Sequence, residues 1–208
     1  MNTKEIRVLA ESIKLTDQQE QILIGLLLGD GHLETQNQGR TFRLKVEHAI
    51  SQKDYVDWIF AKFKNLALTK PQIKLQMVAG KMRQKYWFST ISTGSLRFYG
   101  QQFYVSRKKV VPEIIAKFAS PLSLAVWFMD DGSLKSKHHK ARILNTQCFD
   151  DLSLQRLQKM LEKFGIKTTL RQQREGKQIY IPSTEIEKFI SIIKPFVHKT
   201  MEYKIKLT

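Results

Sequence analysis

Cysteine is nearly absent: one residue, Cys148, in 208 leaves no internal disulfide and fits a reducing intracellular compartment, whether cytoplasm, nucleoid or organelle matrix. Long apolar runs are missing too. The longest, Ile22 to Leu28, is far shorter than the ~20 residues that cross a bilayer. No secretory signal pattern opens the chain, and no low-complexity tract interrupts it. Acidic residues are the other shortage, with 19 Asp and Glu against 35 Lys and Arg, a net charge of +16. That excess on a folded chain with 42% hydrophobic residues favours a polyanionic partner. An anionic membrane would call for an amphipathic helix with a concentrated basic face, and none is visible. Nucleic acid is the better fit. The His138-His139 pair has no partner ligands at metal spacing, which excludes a zinc site and a histidine-metal nuclease.

What is present is organised around Leu23-Ile24-Gly25-Leu26-Leu27-Leu28-Gly29-Asp30-Gly31, an apolar helical run ending on a carboxylate and a glycine. A helix C-terminus carries partial negative charge, so an aspartate there is misplaced by a few tenths of a kcal/mol. The construction returns about a hundred residues later as Leu124-Ala125-Val126-Trp127-Phe128-Met129-Asp130-Asp131-Gly132. Two equivalent halves that each deliver a carboxylate to one place explain the repeat. Gly25 and Gly29, four apart, lie on one helical face and suit a close helix–helix seam.

The intervening chain repeats as well. Thr16 with Gln19 forms a capping box ahead of a helix from Asp17 to Gly29. Thr41 to Glu47 alternates as a half-buried strand, with Phe42, Leu44 and Val46 inward. Asp54 to Leu66 reads as an amphipathic helix with Tyr55, Trp58, Ile59, Ala61 and Phe63 on its apolar side. Residues 73–92 form a hairpin turning at Ala79-Gly80, and Ser95 to Tyr104 is helical. Ser120-Pro121 starts the second motif helix. Arg142 to Gln147 then takes the place of Arg43 to Glu47, and Leu152 to Phe164 that of the Asp54 helix. A hairpin around Glu175-Gly176 and a helix from Glu185 to Phe196 complete the copy. The division expected is 1–107 for the first repeat, 108–119 for a linker and 120–208 for the second. A repeat this long signals a duplicated domain and a pseudo-dimer within one chain.

The paired segments, with Leu144-Asn145-Thr146-Gln147 in support, resemble the two-motif, single-chain LAGLIDADG homing endonucleases from about Thr16 to Lys204. The resemblance implies an α+β fold of two αββαββα repeats. Their antiparallel sheets form a DNA-binding saddle, and their motif helices pack at the repeat interface. It also implies a monomer that cleaves both strands of a long double-stranded DNA site with Mg²⁺, with Mn²⁺ or Ca²⁺ able to occupy the same sites. Asp30 and Asp131 map to the metal-ligating acids. The adjoining Gly29 and Asp130 complete the metal set, although Asp130 lies about 100° around the helix from Asp131, which favours a structural role. Lys108 and Lys204 are placed by resemblance beside the phosphates, and Glu47 and Gln147 at matching strand positions that position water or metal.

DNA reading is expected from the polar strand faces, through Arg43, Lys45, Lys74, Gln76, Arg83, Lys85, Arg142, Asn145, Arg171, Gln173, Arg174 and Gln178. A loop containing Lys135, Lys137, His138 and Lys140 would grip the backbone. The chain departs from the family pattern at the motif's sixth position, where Leu28 and Met129 replace the acid common there. It also carries Val126 and Asp130 where the first motif has Gly25 and Gly29. Two other readings share the scaffold, an RNA-binding intron maturase and a DNA-binding regulator without catalysis; both motif aspartates speak against the second. With no protein-splicing segment in view, an intron-encoded or free-standing origin is favoured over an intein.

Overall fold

Thr16 caps its helix as the sequence predicts. Its hydroxyl accepts from the Gln19 backbone N–H (3.3 Å) while the Gln19 carboxamide oxygen accepts from the Thr16 N–H (3.0 Å). Gln19 also donates to Lys62 O and Asn65 Oδ1, both at 2.7 Å, which ties the helix start to the end of the next helix. The computed structural model describes residues 3–78, 80–136 and 139–206.

The elements run α1 (Thr3–Ser12), α2 (Asp17–Leu28), β1 (His32–Glu34), β2 (Arg43–Ala49), α3 (Lys53–Phe63), β3 (Gln72–Val78), β4 (Lys81–Ser89) and α4 (Arg97–Phe103). A small ladder of β5 (Tyr104–Val105) and β6 (Lys108–Lys109) precedes α5 (Ile115–Phe118) and α6 (Pro121–Asp131). There follow β7 (Gly132–Ser136), β8 (His139–Leu144), α7 (Asp151–Lys163), β9 (Thr169–Gln173), β10 (Gly176–Ile181) and α8 (Ser183–Ile193). Both sheets are antiparallel and share one topology, β1-β2-β4-β3 and β7-β8-β10-β9. This is the αββαββα repeat, present twice.

The chain divides into two compact units: the first holds the residues up to Glu20 and Asp30–Gln101, the second Gln21–Gly29 and the residues from Gln102 onward. In the first, the core side of the sheet carries Leu44, Val46 and Phe88, against which α3 lays Tyr55, Val56, Ile59 and Phe63, all buried. The expected apolar side of α3 needs correction. Ala61 is exposed and Trp58 half-buried, while Val56 takes an inward position. In the second unit Leu144, Ile179 and Ile181 form the sheet's inner face, and Phe128 of α6 meets Phe189 of α8 edge to face at 5.3 Å. Ser120 caps α6 through a reciprocal box with Ser123, with Pro121 in the first turn. Residues Ile22–Ile24 and Leu26–Leu28 of α2, and Ser123–Met129 of α6, are almost wholly enclosed. A helix apolar all round belongs in an interior. No helix among the described residues is long and apolar enough to cross a membrane.

Candidate active site at the motif helix ends

Within the second unit the C-terminal part of α2 lies directly against α6. A Cβ on Gly25 would stand 2.6 Å from the Ser123 carbonyl oxygen and 2.6 Å from Val126 Cβ. One on Gly29 would stand 2.5 Å from Asp130 Cβ. Each glycine of α2 is therefore a recess filled by a side chain of α6. Val126 and Asp130, which as sequence look like departures from close packing, are its other half. Ser123 Oγ donates to Gln21 Oε1 at 2.8 Å across the same seam. Asp130 therefore faces Gly29 across the seam.

A helix leaves its last four carbonyls without intrahelical donors, and at α6 every one is answered. Phe128 O accepts from the Gly132 N–H. Met129 O and Asp130 O accept from Lys204 Nζ, the latter at 3.2 Å. Asp131 O accepts from the Asn145 backbone N–H at 3.0 Å and from the Asn145 side-chain amide at 2.8 Å. A buried ammonium at this end also offsets the helix dipole, which otherwise disfavours Asp131. Lys204 is 7% exposed. Matching strand registers correct one expectation here. Gly132 pairs with Leu144 as Gly31 would continue to Val46 beyond the His32–Lys45 pair, so the counterpart of Glu47 is Asn145. Gln147 lies in a turn after β8 has ended.

At the tip of α2 the matching carbonyl, Gly29 O, accepts from Lys109 Nζ at 2.7 Å. The lysine that reaches the helix end is Lys109; its neighbour Lys108 is exposed. Lys109 is delivered by the β5–β6 turn, whose central residues Ser106 and Arg107 take left-handed backbone angles, φ 48° and 65°. Such angles cost non-glycine residues on the order of 1 kcal/mol each and mark a backbone held for position. The next residue, Asp30, belongs to the first unit. There its carboxylate, 51% exposed, lies 3.5 Å from Nδ1 of buried His48 on β2. His48 has no sequence signal beyond its inward parity with Leu44 and Val46.

The polar face of the first sheet assembles most of the expected DNA-reading residues. Register puts Arg43, Lys45 and Glu47 of β2 beside Lys85 and Arg83 of β4 and Lys74 and Gln76 of β3, with Trp87 among them. Two carboxylates organise these cations. Glu47 bonds Lys74 at 2.6 Å, and Glu34 meets Arg43 at 2.6 Å, Lys45 at 3.4 Å and His32 at 3.1 Å. Burial by itself would raise the Glu34 carboxyl, but the hydrogen bonds from Arg43 and His32 and the charges of Lys45 and Arg43 outweigh it and hold it at about 2.

On the second sheet Arg171, Gln173 and Gln178 share the outer face with Tyr180, over which Arg171 stacks at 3.4 Å and Lys135 lies at 5.9 Å. Arg174 is exposed at the hairpin turn. One expected contact does not fit, and two others are engaged within the chain. Arg142 pairs with Ile181 on the inner face and is fully buried, because it shares parity with Leu144. Lys140 falls on that side too and pairs with Glu187 of α8 at 3.6 Å. Asn145 has its amide on Asp131 O and its oxygen on Gln178 Nε2 at 2.7 Å. Lys137, His138 and the expected turn residue Ala79 lie outside the described residues.

Comparison with known proteins gives a consistent result. The model of the LAGLIDADG DNA endonuclease family matches residues 20–189. DNA endonuclease I-ChuI of Chlamydomonas applanata is 32% identical over 211 residues, covering 93% of this chain and 96% of that protein. The solved structure of the homing endonuclease I-WcaI bound to its DNA recognition sequence superposes with a TM-score of 0.93 at 25% identity, over 100% of this chain and 94% of that one. Cytochrome b mRNA maturase bI2 of Saccharomyces cerevisiae is 29% identical over 198 residues, and the match spans 88% of this chain but 46% of the maturase.

Proposed function

The chain belongs to the LAGLIDADG DNA endonuclease family, and from that premise we propose that it cuts both strands of one DNA site by metal-assisted hydrolysis, one strand at the tip of α2 and the other at the tip of α6. The enzyme is a site-specific DNA endonuclease. The observation that carries the two-site reading is the doubled construction of the helix ends. Gly29 O and Asp130 O, each one residue before its motif acid, both accept from a lysine ammonium.

The donors at these tips fit a hard divalent cation. Asp30 and Asp131 offer carboxylate oxygens, the ligand type that Mg²⁺ takes one or two at a time, and Mn²⁺ and Ca²⁺ accept the same set. When bound, the cation supplies charge neutralisation at the attacked phosphate and the leaving oxygen. The chain's own residues prepare that place. His48 orients the Asp30 carboxylate from the interior, and Asn145 fixes the backbone of Asp131. Lys109 and Lys204 cancel the negative ends of the two helices, so that an acid and then a phosphate are tolerated there. Glu47, steadied by Lys74, is positioned to orient water. The basic sheet faces hold the duplex, with Arg and Gln reading base edges and the lysines meeting phosphates.

The similarity to maturase bI2 favours a second reading, assistance to RNA splicing on the same scaffold. A cleavage assay on a library of DNA targets with and without Mg²⁺ separates the two, because a maturase alone leaves the library intact. For the two-site assignment the test is Asp30→Asn and Asp131→Asn. Each variant is expected to bind target DNA within a few-fold of the parent and to stop at a nicked product, each nicking the opposite strand. Double-strand cutting at the normal rate by both variants refutes the assignment.

A further inference from the structure

Arg142 is the largest polar side chain among the fully buried residues, and no DNA-reading role remains for it on the inner face of its sheet. Its guanidinium is spent on backbone carbonyls. Nε donates to Lys204 O at 2.9 Å, one terminal nitrogen to Lys206 O at 2.6 Å, and the other to Lys140 O and to Ala141 O (3.4 Å). Among the described residues no carboxylate pairs with it, and burial pulls its proton affinity down. Burying an unpaired guanidinium is costly unless its donors are satisfied. A leucine or methionine would fill the space without that cost, so stability of the sheet does not account for an arginine here.

The carbonyls it gathers do account for it. Two of them belong to the C-terminal segment, a 3-10 turn over Lys199–Lys204 and the residues after it. The same Lys204 whose main chain Arg142 holds sends its ammonium to Met129 O and Asp130 O at the end of α6. A continuous chain of hydrogen bonds therefore runs from β8 through Arg142 and the backbone of Lys204 to the turn that presents Asp131. Lys109 at α2 is carried instead by the two-residue β5–β6 ladder, and Arg142 donates to neither of those strands.

We propose that Arg142 is a positioning residue for the α6 site. It fixes the C-terminal segment so that Lys204 stays docked beneath Asp131, and it thereby sets the cleavage rate of one DNA strand and not the other. This rests on the proposed division of labour between the two helix tips.

The test uses the full-length protein with Arg142→Met and Arg142→Lys, the latter keeping charge and length but unable to reach four carbonyls from one ammonium. Cleavage of a target labelled separately on each strand, DNA affinity in metal-free buffer, and acetylation of Lys204 read by peptide mass spectrometry are measured together. Both variants are expected to bind DNA within about twofold of the parent. Cleavage of the strand assigned to Asp131 should slow at least tenfold while the other strand stays within about threefold, so that nicked product accumulates. Lys204, slow to acetylate in the parent, should react at least fivefold faster, and Arg142→Lys should fall between parent and Arg142→Met. Equal slowing of both strands, or an unchanged strand ratio with Lys204 still protected, overturns the proposal. If Arg142→Met does not fold, the strand ratio and Lys204 reactivity of Arg142→Lys decide it alone. If Asp131→Asn itself shows no strand preference, it is the two-site assignment that fails, and the acetylation result still reports on whether Arg142 docks Lys204.

Discussion

Leu44, Val46 and His48 share the inner face of β2, and Arg142 and Leu144 that of β8. Alternation in a strand assigns a face but leaves its parity to whichever residues the core claims. Arg142 reads as a polar-face residue until Leu144, two positions on, is seen to be inward. Lys108 and Lys109 are chemically equivalent in the sequence; the handed turn at Ser106-Arg107 decides which one returns to Gly29. Asn145 reads in the sequence as a base-contacting amide, and its pairing with the Asp131 carbonyl appears only once the β7–β8 register is known. Asp30 and Asp131, by contrast, are legible at once, because each sits at the wrong end of an apolar helix. Glu34 supports a prediction at this scale. Its carboxyl sits at about 2 in the folded chain against an ordinary 4.5, so the native state holds fewer protons than the unfolded one. That contribution is complete above pH ~4.5 and disappears as pH falls toward ~2. Glu34→Gln is expected to flatten the acid limb of a melting-temperature profile in that window and, by releasing Arg43 and Lys45, to raise affinity for non-target DNA. An acid limb as steep as the parent's would show that the cluster adds nothing to folding.

At the scale of elements the helices, the strand from Thr41, the Thr16 capping box and both later hairpins follow from periodicity and turn residues, since each buries one face by a rule that its own sequence satisfies. The Ser120–Ser123 box and the pairing of β7 with β8 across the expected basic loop appear only in the structure. What periodicity could not supply is how α2 and α6 fit together, because a recess and its filling lie about a hundred residues apart. The fit makes a sharp prediction. Gly25→Ala places a methyl 2.6 Å from the Ser123 carbonyl oxygen, a backbone atom that cannot turn aside. A loss of about 1–3 kcal/mol is expected from this overpacking, despite the better helix propensity of alanine. Urea unfolding checks it, and a neutral or stabilising result would mean that the seam is looser than drawn. Gly25→Ala combined with Val126→Ala should recover part of the loss if Val126 is the side chain displaced.

For the whole molecule the governing quantity is charge, +16 over 208 residues. Neutralising about six phosphates would cost roughly a thousandfold in affinity between 50 and 200 mM salt, and a plot of log affinity against log salt should be correspondingly steep. A flat plot would count against duplex binding as the purpose of the basic sheet faces. The charge total and the duplication are both visible in the sequence; the role of the carboxylates that partition the charge, Glu34 and Glu47, is not, since Arg43, Lys45 and Lys74 reach them from other strands of the sheet. The lopsided fit of the two motif helices has a further outcome. Glycines line one partner and bulkier side chains the other, so a pairing of α2 with another α2 would leave voids, and α6 with α6 would collide. Whatever symmetric ancestor the duplication began from, this chain has become a matched couple whose members cannot trade places, and any chimera assembled from it and a relative must inherit both helices from the same parent.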